Sequence, residues 1–235
     1  MITVARAEGV DWDVRKDLCA KAYALLDNDF KLPPAKIFLE KLSPVGAGLG
    51  GGSADAAYTL TMLNDICGLG LSKEELAGYA SRLGSDCAFF IHGCPMFGEG
   101  RGEVLTPFEL PVEILDGGQT EAGRLNGENR CPECGNGNKR KPVYELQIVV
   151  PEGISVSTAE AYRGITPAIP EMRLKDVLSR PVSEWKDLLV NDFEATVFKA
   201  HPELAAIKQS LYDSGAAYAS MSGSGSALFA LYEKE

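Results

Sequence analysis

The residues with the strongest claim to chemistry are a run of small side chains, Pro44-Val45-Gly46-Ala47-Gly48-Leu49-Gly50-Gly51-Gly52-Ser53, continuing into Ala54-Asp55-Ala56-Ala57. Glycine reaches positive φ without steric cost and lets a ligand come close to the main chain. The run sits between an extended segment and a helical pattern, where converging N–H groups and a helix N-terminus favour an anion. Phosphate suits such a loop. Ser53 could cap the helix or offer its hydroxyl to a phosphate or a metal ion. A flexible connector is the bland alternative, but connectors seldom run straight into a strongly patterned helix. Two familiar phosphate loops fit less well. A P-loop needs a lysine after its last glycine, and Ser53 stands there. A dinucleotide loop needs an acidic residue about 20 positions on, where Gly70, Leu71 and Ser72 stand.

Two further groups are chemically capable. Asp86, in Gly84-Ser85-Asp86-Cys87-Ala88-Phe89-Phe90, lies between a helix-ending glycine and an apolar run. A carboxylate at the edge of a core can take a proton from a substrate hydroxyl; a surface-turn or helix-capping aspartate is the bland reading. Ser220-Met221-Ser222-Gly223-Ser224-Gly225-Ser226 is a second small-residue turn, able to form another anion-binding nest. By itself the signal is weak, and a plain hairpin turn is the better reading.

The elements that must position these groups follow from periodicity. Leu18, Cys19, Ala22, Leu25 and Leu26 have helical spacing, and Leu32-Pro33-Pro34 ends that helix. Residues 35–42 alternate as a strand leading into the glycine run, with Ile37 and Leu39 on one side. Ala56, Ala57, Leu60, Leu63 and Cys67 mark the inward stripe of a helix opening near Ser53 and ended by Gly68-Leu69-Gly70. Ser72 and Glu75 have capping-box spacing, so a helix runs from there to about Leu83 and closes on Gly84. Residues 103–110 and 144–150 read as extended, and 202–212 as a helix with Leu204, Ile207 and Leu211 inward. Residues 116–142 are polar and rich in Gly and Asn, read here as a mobile insertion.

Composition narrows the function classes. The chain has 235 residues, 45% hydrophobic and 24% charged, as an ordinary globular protein does. Its net charge of −10 argues against a nucleic-acid partner, because duplex binding relies on cationic side chains. No apolar run approaches membrane-spanning length and no signal peptide opens the chain, so a cytoplasmic location is expected. Six scattered cysteines suggest reduced, mostly buried thiols. Cys131-Pro132-Glu133-Cys134 is half of a zinc site, and without two further ligands it reads as an exposed loop.

Taken in order, PVGAGLGGGSADAA, LGSDCAFF, FGEGRGE and SMSGSGSA resemble the GHMP kinases, named after galactokinase, homoserine kinase, mevalonate kinase and phosphomevalonate kinase. VSTAEAY at 156–162, NDFE at 191–194 and the triple glycine before Ser-Ala-Asp-Ala-Ala look like the branch of that superfamily serving bacterial isoprenoid synthesis. That branch phosphorylates the 2-hydroxyl of 4-diphosphocytidyl-2-C-methyl-D-erythritol. The resemblance implies a two-domain α+β fold, its first domain like the second domain of ribosomal protein S5 and its second ferredoxin-like. The expected boundaries are an ATP-binding domain over 1–145 and a C-terminal domain over 146–235. It further implies ATP and Mg2+, with the run from Pro44 to Ser53 on the phosphates and Ser53 near the metal. Asp86 would be the catalytic carboxylate, Tyr162 would stack on the cytosine, and Ser222, Gly223 and Ser224 would close the far side of the cleft. The partner would be a small molecule, and the protein a monomer or homodimer. Another small alcohol, or a non-catalytic remnant, are the competing expectations. Family members open with a Lys-x-Asn-like strand and a Gly-Tyr-His-like segment that this sequence lacks. The chain is accordingly expected to start about 60 residues into the fold, with its first strand missing and weak or no turnover.

Overall fold

The computed structural model describes residues 3–6, 13–41, 45–100, 102, 104–116 and 141–234. Pro44, Cys131, Cys134 and nearly all of the 116–142 segment fall outside those residues. The chain forms two compact units. Among the described residues, the first holds everything up to Val45 and Gly50–Phe108; the second holds Gly46–Leu49 and everything from Glu109 onward.

In the first unit, helix α1 (Leu18–Phe30) starts because the Asp17 carboxylate accepts from the Cys19 N–H at 2.8 Å. It stops at Lys31, whose φ of 55° is left-handed, with Leu32 between it and the two prolines. Strand β2 (Lys36–Leu39) follows and pairs in parallel with β1 (Thr3–Arg6). Helix α2 (Gly51–Cys67) opens at Gly51 rather than at Ser53, since Gly50 takes the left-handed turn that ends the glycine run. Helix α3 (Lys73–Ser81) has the full capping box: the Glu75 N–H donates to Ser72 Oγ, and the Ser72 N–H donates to the Glu75 carboxylate. The short apolar run becomes helix α4 (Cys87–His92), and β3 (Met96–Glu99) pairs antiparallel with β4 (Val104–Pro107). Alanines keep these helices close: Ala22 and Leu26 of α1 meet Ala56 and Leu60 of α2, and all four are fully buried.

The second unit is built on a sheet in the order β5-β6-β8-β7, with β5 at Glu113–Asp116, β6 at Val143–Val149, β7 at Tyr218–Met221 and β8 at Leu228–Glu233. The β5–β6 pair is parallel and the others antiparallel. Both faces are covered. Ala219, Met221, Leu228 and Ala230 pack toward α8 (Glu194–Ala200) and α9 (Pro202–Asp213). Tyr218 and Leu231, one residue out of phase, pack with Val177 of α6 (Leu174–Leu178) and Trp185 of α7 (Trp185–Leu188). Burial on both faces explains why β7 and β8 read as unbroken small and apolar residues rather than as an alternation. The sheet draws 109–116 and the start of β6 into this unit. Helix α5 (Thr158–Arg163) completes it. Among the described residues, Cys19, Cys67 and Cys87 are free thiols.

Burial pushes the Cys19 thiol up to about 11 and the Tyr218 hydroxyl up to about 12. Both folded values are raised, so the stability they contribute is complete below the unfolded values, 9.0 and 10.0, and drains away as pH rises through the folded ones. The urea midpoint should therefore fall between pH 9 and pH 11. In Cys19→Ala that fall should be shallower; an unchanged slope would show that the thiol does not contribute.

Candidate functional site

The glycine run has a definite backbone shape. Gly46, Gly48 and Gly50 have φ of 80°, 78° and 69°, and the intervening Ala47 and Leu49 are not left-handed. Alternation of hand turns successive N–H groups toward one concavity, the geometry of an anion nest. Gly50 then serves as N-cap of α2 with no side chain bonded to the helix end. The N–H groups of the first turn, from Gly51 to Ser53, remain available to a ligand.

The structure brings the first half of this run together with the second small-residue turn. The Ala227 N–H donates to the Ala47 carbonyl at 2.9 Å, and Ser222 Oγ donates to the Gly48 carbonyl at 2.9 Å. The approach is so close that a Cβ on Gly48 would run into the Ser222 carbonyl and lie 2.9 Å from that of Gly225. A Cβ on Gly223 would come within 3.1 Å of the Gly48 oxygen. Ser224 Oγ lies 3.2 Å from the hydroxyl of Thr158 at the start of α5. On the same helix Tyr162 is 64% exposed and meets Phe193 edge-on, ring centroids 4.9 Å apart. It is no core-packing tyrosine.

Within the first unit, the Ser53 side chain lies near enough to the thiol of Cys87, the residue next to Asp86, to influence its ionisation. Burial raises the Cys87 pKa and the Ser53 contact acts against it. Ser53 is thus held beside the start of α4, where Asp86 stands. Asp86 occupies the N-cap position, but its carboxylate makes no capping bond and is exposed. The short helix takes no support from it, so both oxygens are open to a donor from outside. Among the described residues no group of three His, Cys, Asp or Glu could hold a metal ion. A magnesium ion that arrives on phosphate oxygens needs only one or two protein oxygens, and the Ser53 hydroxyl fits that demand.

Sequence reasoning passed over Lys41 and Asp55. They form an ion pair, with side chains 14% and 31% exposed, that ties the residue leading into the glycine run to the second turn of α2. A lysine just before and an aspartate just after a glycine run was the available signal. NDFE was noted as a likeness, but what its Asn191 and Glu194 hold was not legible. Pro44 lies outside the described residues.

Two glycines of the run should respond differently to alanine. At Gly46 an added Cβ meets no described residue within 4 Å, leaving the left-handed strain of about 1–2 kcal/mol. At Gly48 the same strain is joined by a collision with fixed backbone. Thermal unfolding should show a much larger loss for Gly48→Ala than for Gly46→Ala; equal losses would remove the close approach described above.

The family model described as GHMP kinases N terminal domain matches residues 17–94, and that described as GHMP kinases C terminal matches 174–235. A Parabacteroides distasonis protein named 4-diphosphocytidyl-2-C-methyl-D-erythritol kinase is 43% identical over 96% of this chain and 72% of its own length. A Bacteroides thetaiotaomicron protein of the same name is 44% identical over 93% of this chain and 69% of its own. Among solved structures, a 4-(cytidine 5'-diphospho)-2C-methyl-D-erythritol kinase superposes with a TM-score of 0.70 at 28% identity, covering 97% of this chain and 72% of that one. The homoserine kinase of Cytophaga hutchinsonii superposes at 0.60 with 15% identity, covering 100% and 72%, a likeness of fold. No helix among the described residues is long and apolar enough to cross a membrane. The two family matches lie one on each side of the sheet's first strands, and the similarity to relatives runs through nearly the whole chain: it belongs to the GHMP kinases.

Proposed function

We propose that this chain transfers the γ-phosphoryl group of ATP to the 2-hydroxyl of 4-diphosphocytidyl-2-C-methyl-D-erythritol, a step of non-mevalonate isoprenoid precursor synthesis. The observation that carries the substrate choice is identity. Relatives of that name reach 43–44% along nearly all of this chain, whereas the solved homoserine and mevalonate kinases share 15% and 17%. Within this reading the ATP-binding domain falls within residues 1–145 and the C-terminal domain within 146–235. Acting on a small charged molecule, the protein works in the cytoplasm as a monomer or homodimer, without nucleic acid.

The roles follow from chemistry the side chains can supply. Phosphoryl transfer asks little covalent work of a protein; it asks for positioning and for charge stabilisation. The main chain from Gly46 to Ser53 offers N–H groups to the phosphates, which suits an acidic protein because backbone dipoles, not cationic side chains, carry the attraction. The Ser53 hydroxyl would help to hold a magnesium ion, which would supply charge neutralisation to the phosphates. Asp86 accepts the proton of the attacking hydroxyl, which its open carboxylate permits. Tyr162 presents an exposed ring on which a cytosine can stack. Ser222, Gly223 and Ser224 bound the substrate on the side of the second turn.

ATP consumption by the purified chain should be fastest with the diphosphocytidyl substrate and negligible with mevalonate or homoserine. Asp86→Asn should lower kcat by about 10²–10⁴-fold, the usual contribution of a positioned base, while leaving ATP affinity near wild type. Full activity in Asp86→Asn, or a preference for another alcohol, would overturn the reading.

A further inference from the structure

The NDFE segment at 191–194 has no part in the roles above, yet its side chains do unusual structural work. Asn191 Nδ2 donates to two carbonyls of the second small-residue turn, those of Met221 and Gly223, both at 2.8 Å. Its Oδ1 accepts from the Phe193 N–H at 3.0 Å, which fixes the amide against its own backbone. Glu194 is buried, and its Oε1 accepts from the Met221 N–H at 2.8 Å and from Ser220 Oγ at 3.1 Å. Lys208 Nζ supplies the countercharge to Oε2 at 2.6 Å. Two side chains thus satisfy polar groups of Ser220, Met221 and Gly223.

The other side of the same turn grips the glycine run, through Ser222 Oγ on the Gly48 carbonyl and the Ala227 N–H on the Ala47 carbonyl. A trans peptide unit is planar, with its C=O and N–H pointing in opposite directions. Holding the Ala47 carbonyl therefore aims the Gly48 N–H away from the turn, and holding the Gly48 carbonyl does the same for the Leu49 N–H. Neither N–H has an acceptor among the described residues. They are donors without a partner, oriented by bonds made at the far ends of their own peptide units.

We infer that Asn191 and Glu194 are positioning residues for nucleotide binding. They hold the 220–226 turn, the turn holds the Ala47 and Gly48 carbonyls, and those carbonyls present the Gly48 and Leu49 N–H groups to a phosphate. The inference rests on the reading that this run receives the ATP phosphates. The relay itself is a property of the free protein and can be measured without ligand or turnover. Glu194 also supports the α8–α9 packing through Lys208, so Asn191, which touches only the turn and its own backbone, is the cleaner probe.

The test is ¹⁵N relaxation of the unliganded full chain, paired with equilibrium binding of ATP with magnesium. In the wild type the Gly48 and Leu49 amides should be as rigid as regular structure, with order parameters near about 0.85, and in Asn191→Ala they should fall below about 0.6. Amides of α9 should not change. Ser222→Ala removes one hydroxyl from the half-buried turn and should loosen the Gly48 and Leu49 amides while the turn stays ordered, and it carries the test should Asn191→Ala not fold. A merely local role for NDFE would loosen residues 222–224 and leave Gly48 and Leu49 rigid, and that result overturns the relay. ATP should bind about tenfold more weakly in either variant. Loosened amides with unchanged ATP affinity would keep the relay and defeat the assignment of this run to the phosphates, so the two ideas fail separately.

Discussion

A carboxylate taken out of water has to be satisfied where it lies, and Glu194 is the group on which the second unit closes. It opens α8, its countercharge Lys208 sits midway along α9, and its hydrogen-bond donors belong to β7. One side chain therefore sets the register of three elements that share no local sequence. Removing one partner from a buried pair costs about 3–5 kcal/mol, since the remaining charge is stranded. The surrounding apolar layer of Val197, Leu204, Met221 and Leu228 keeps water from rescuing it. That layer also makes the geometry of the 220–226 turn a consequence of packing rather than of loop sequence alone.

The first unit solves its positioning problem differently. Its core is small: Ala56, Ala57 and Ala80 are among its buried residues, and the helices approach closely because so little stands between them. Close approach puts the N-terminus of α2 against the start of α4, where Ser53 reaches Cys87. The Lys41–Asp55 pair then closes the chain across the glycine run, at the edge of the core where both side chains keep partial access to solvent. Half-buried as it is, the pair shortens the set of paths the intervening loop can follow.

Local rules were enough for some elements and could not reach others. Asp17 and the Ser72–Glu75 capping box act within three residues, and long helices such as α1 and α9 declare themselves by spacing. The glycine run and Asp86 were legible as chemistry because residue type alone restricts what they can do. Helices α5 to α8 are four to seven residues long, too short for a 3.6-residue period to show. The start of α2 was displaced because a left-handed Gly50 ends the loop two residues before the serine that looked like its cap. Asn191 and Glu194 act on residues 26 to 32 positions away, and no local pattern reports a partner at that distance.

The glycine run shows why composition alone overstates a ligand. Gly48 is required by the protein itself: the Ser222 and Gly225 carbonyls occupy the place of a side chain, so glycine would be needed there with or without a phosphate. Gly50 is similar in kind, with the Phe90 ring 2.8 Å from a would-be Cβ, though a ring edge can yield where backbone cannot. Gly46 is the informative one. No described residue lies within 4 Å of its would-be Cβ, so packing among them does not explain its lack of a side chain; its left-handed φ does. That φ begins the alternation by which the later N–H groups converge. The case for an anion in this loop therefore rests less on how many glycines it holds than on the left-handed Gly46, which no described residue crowds.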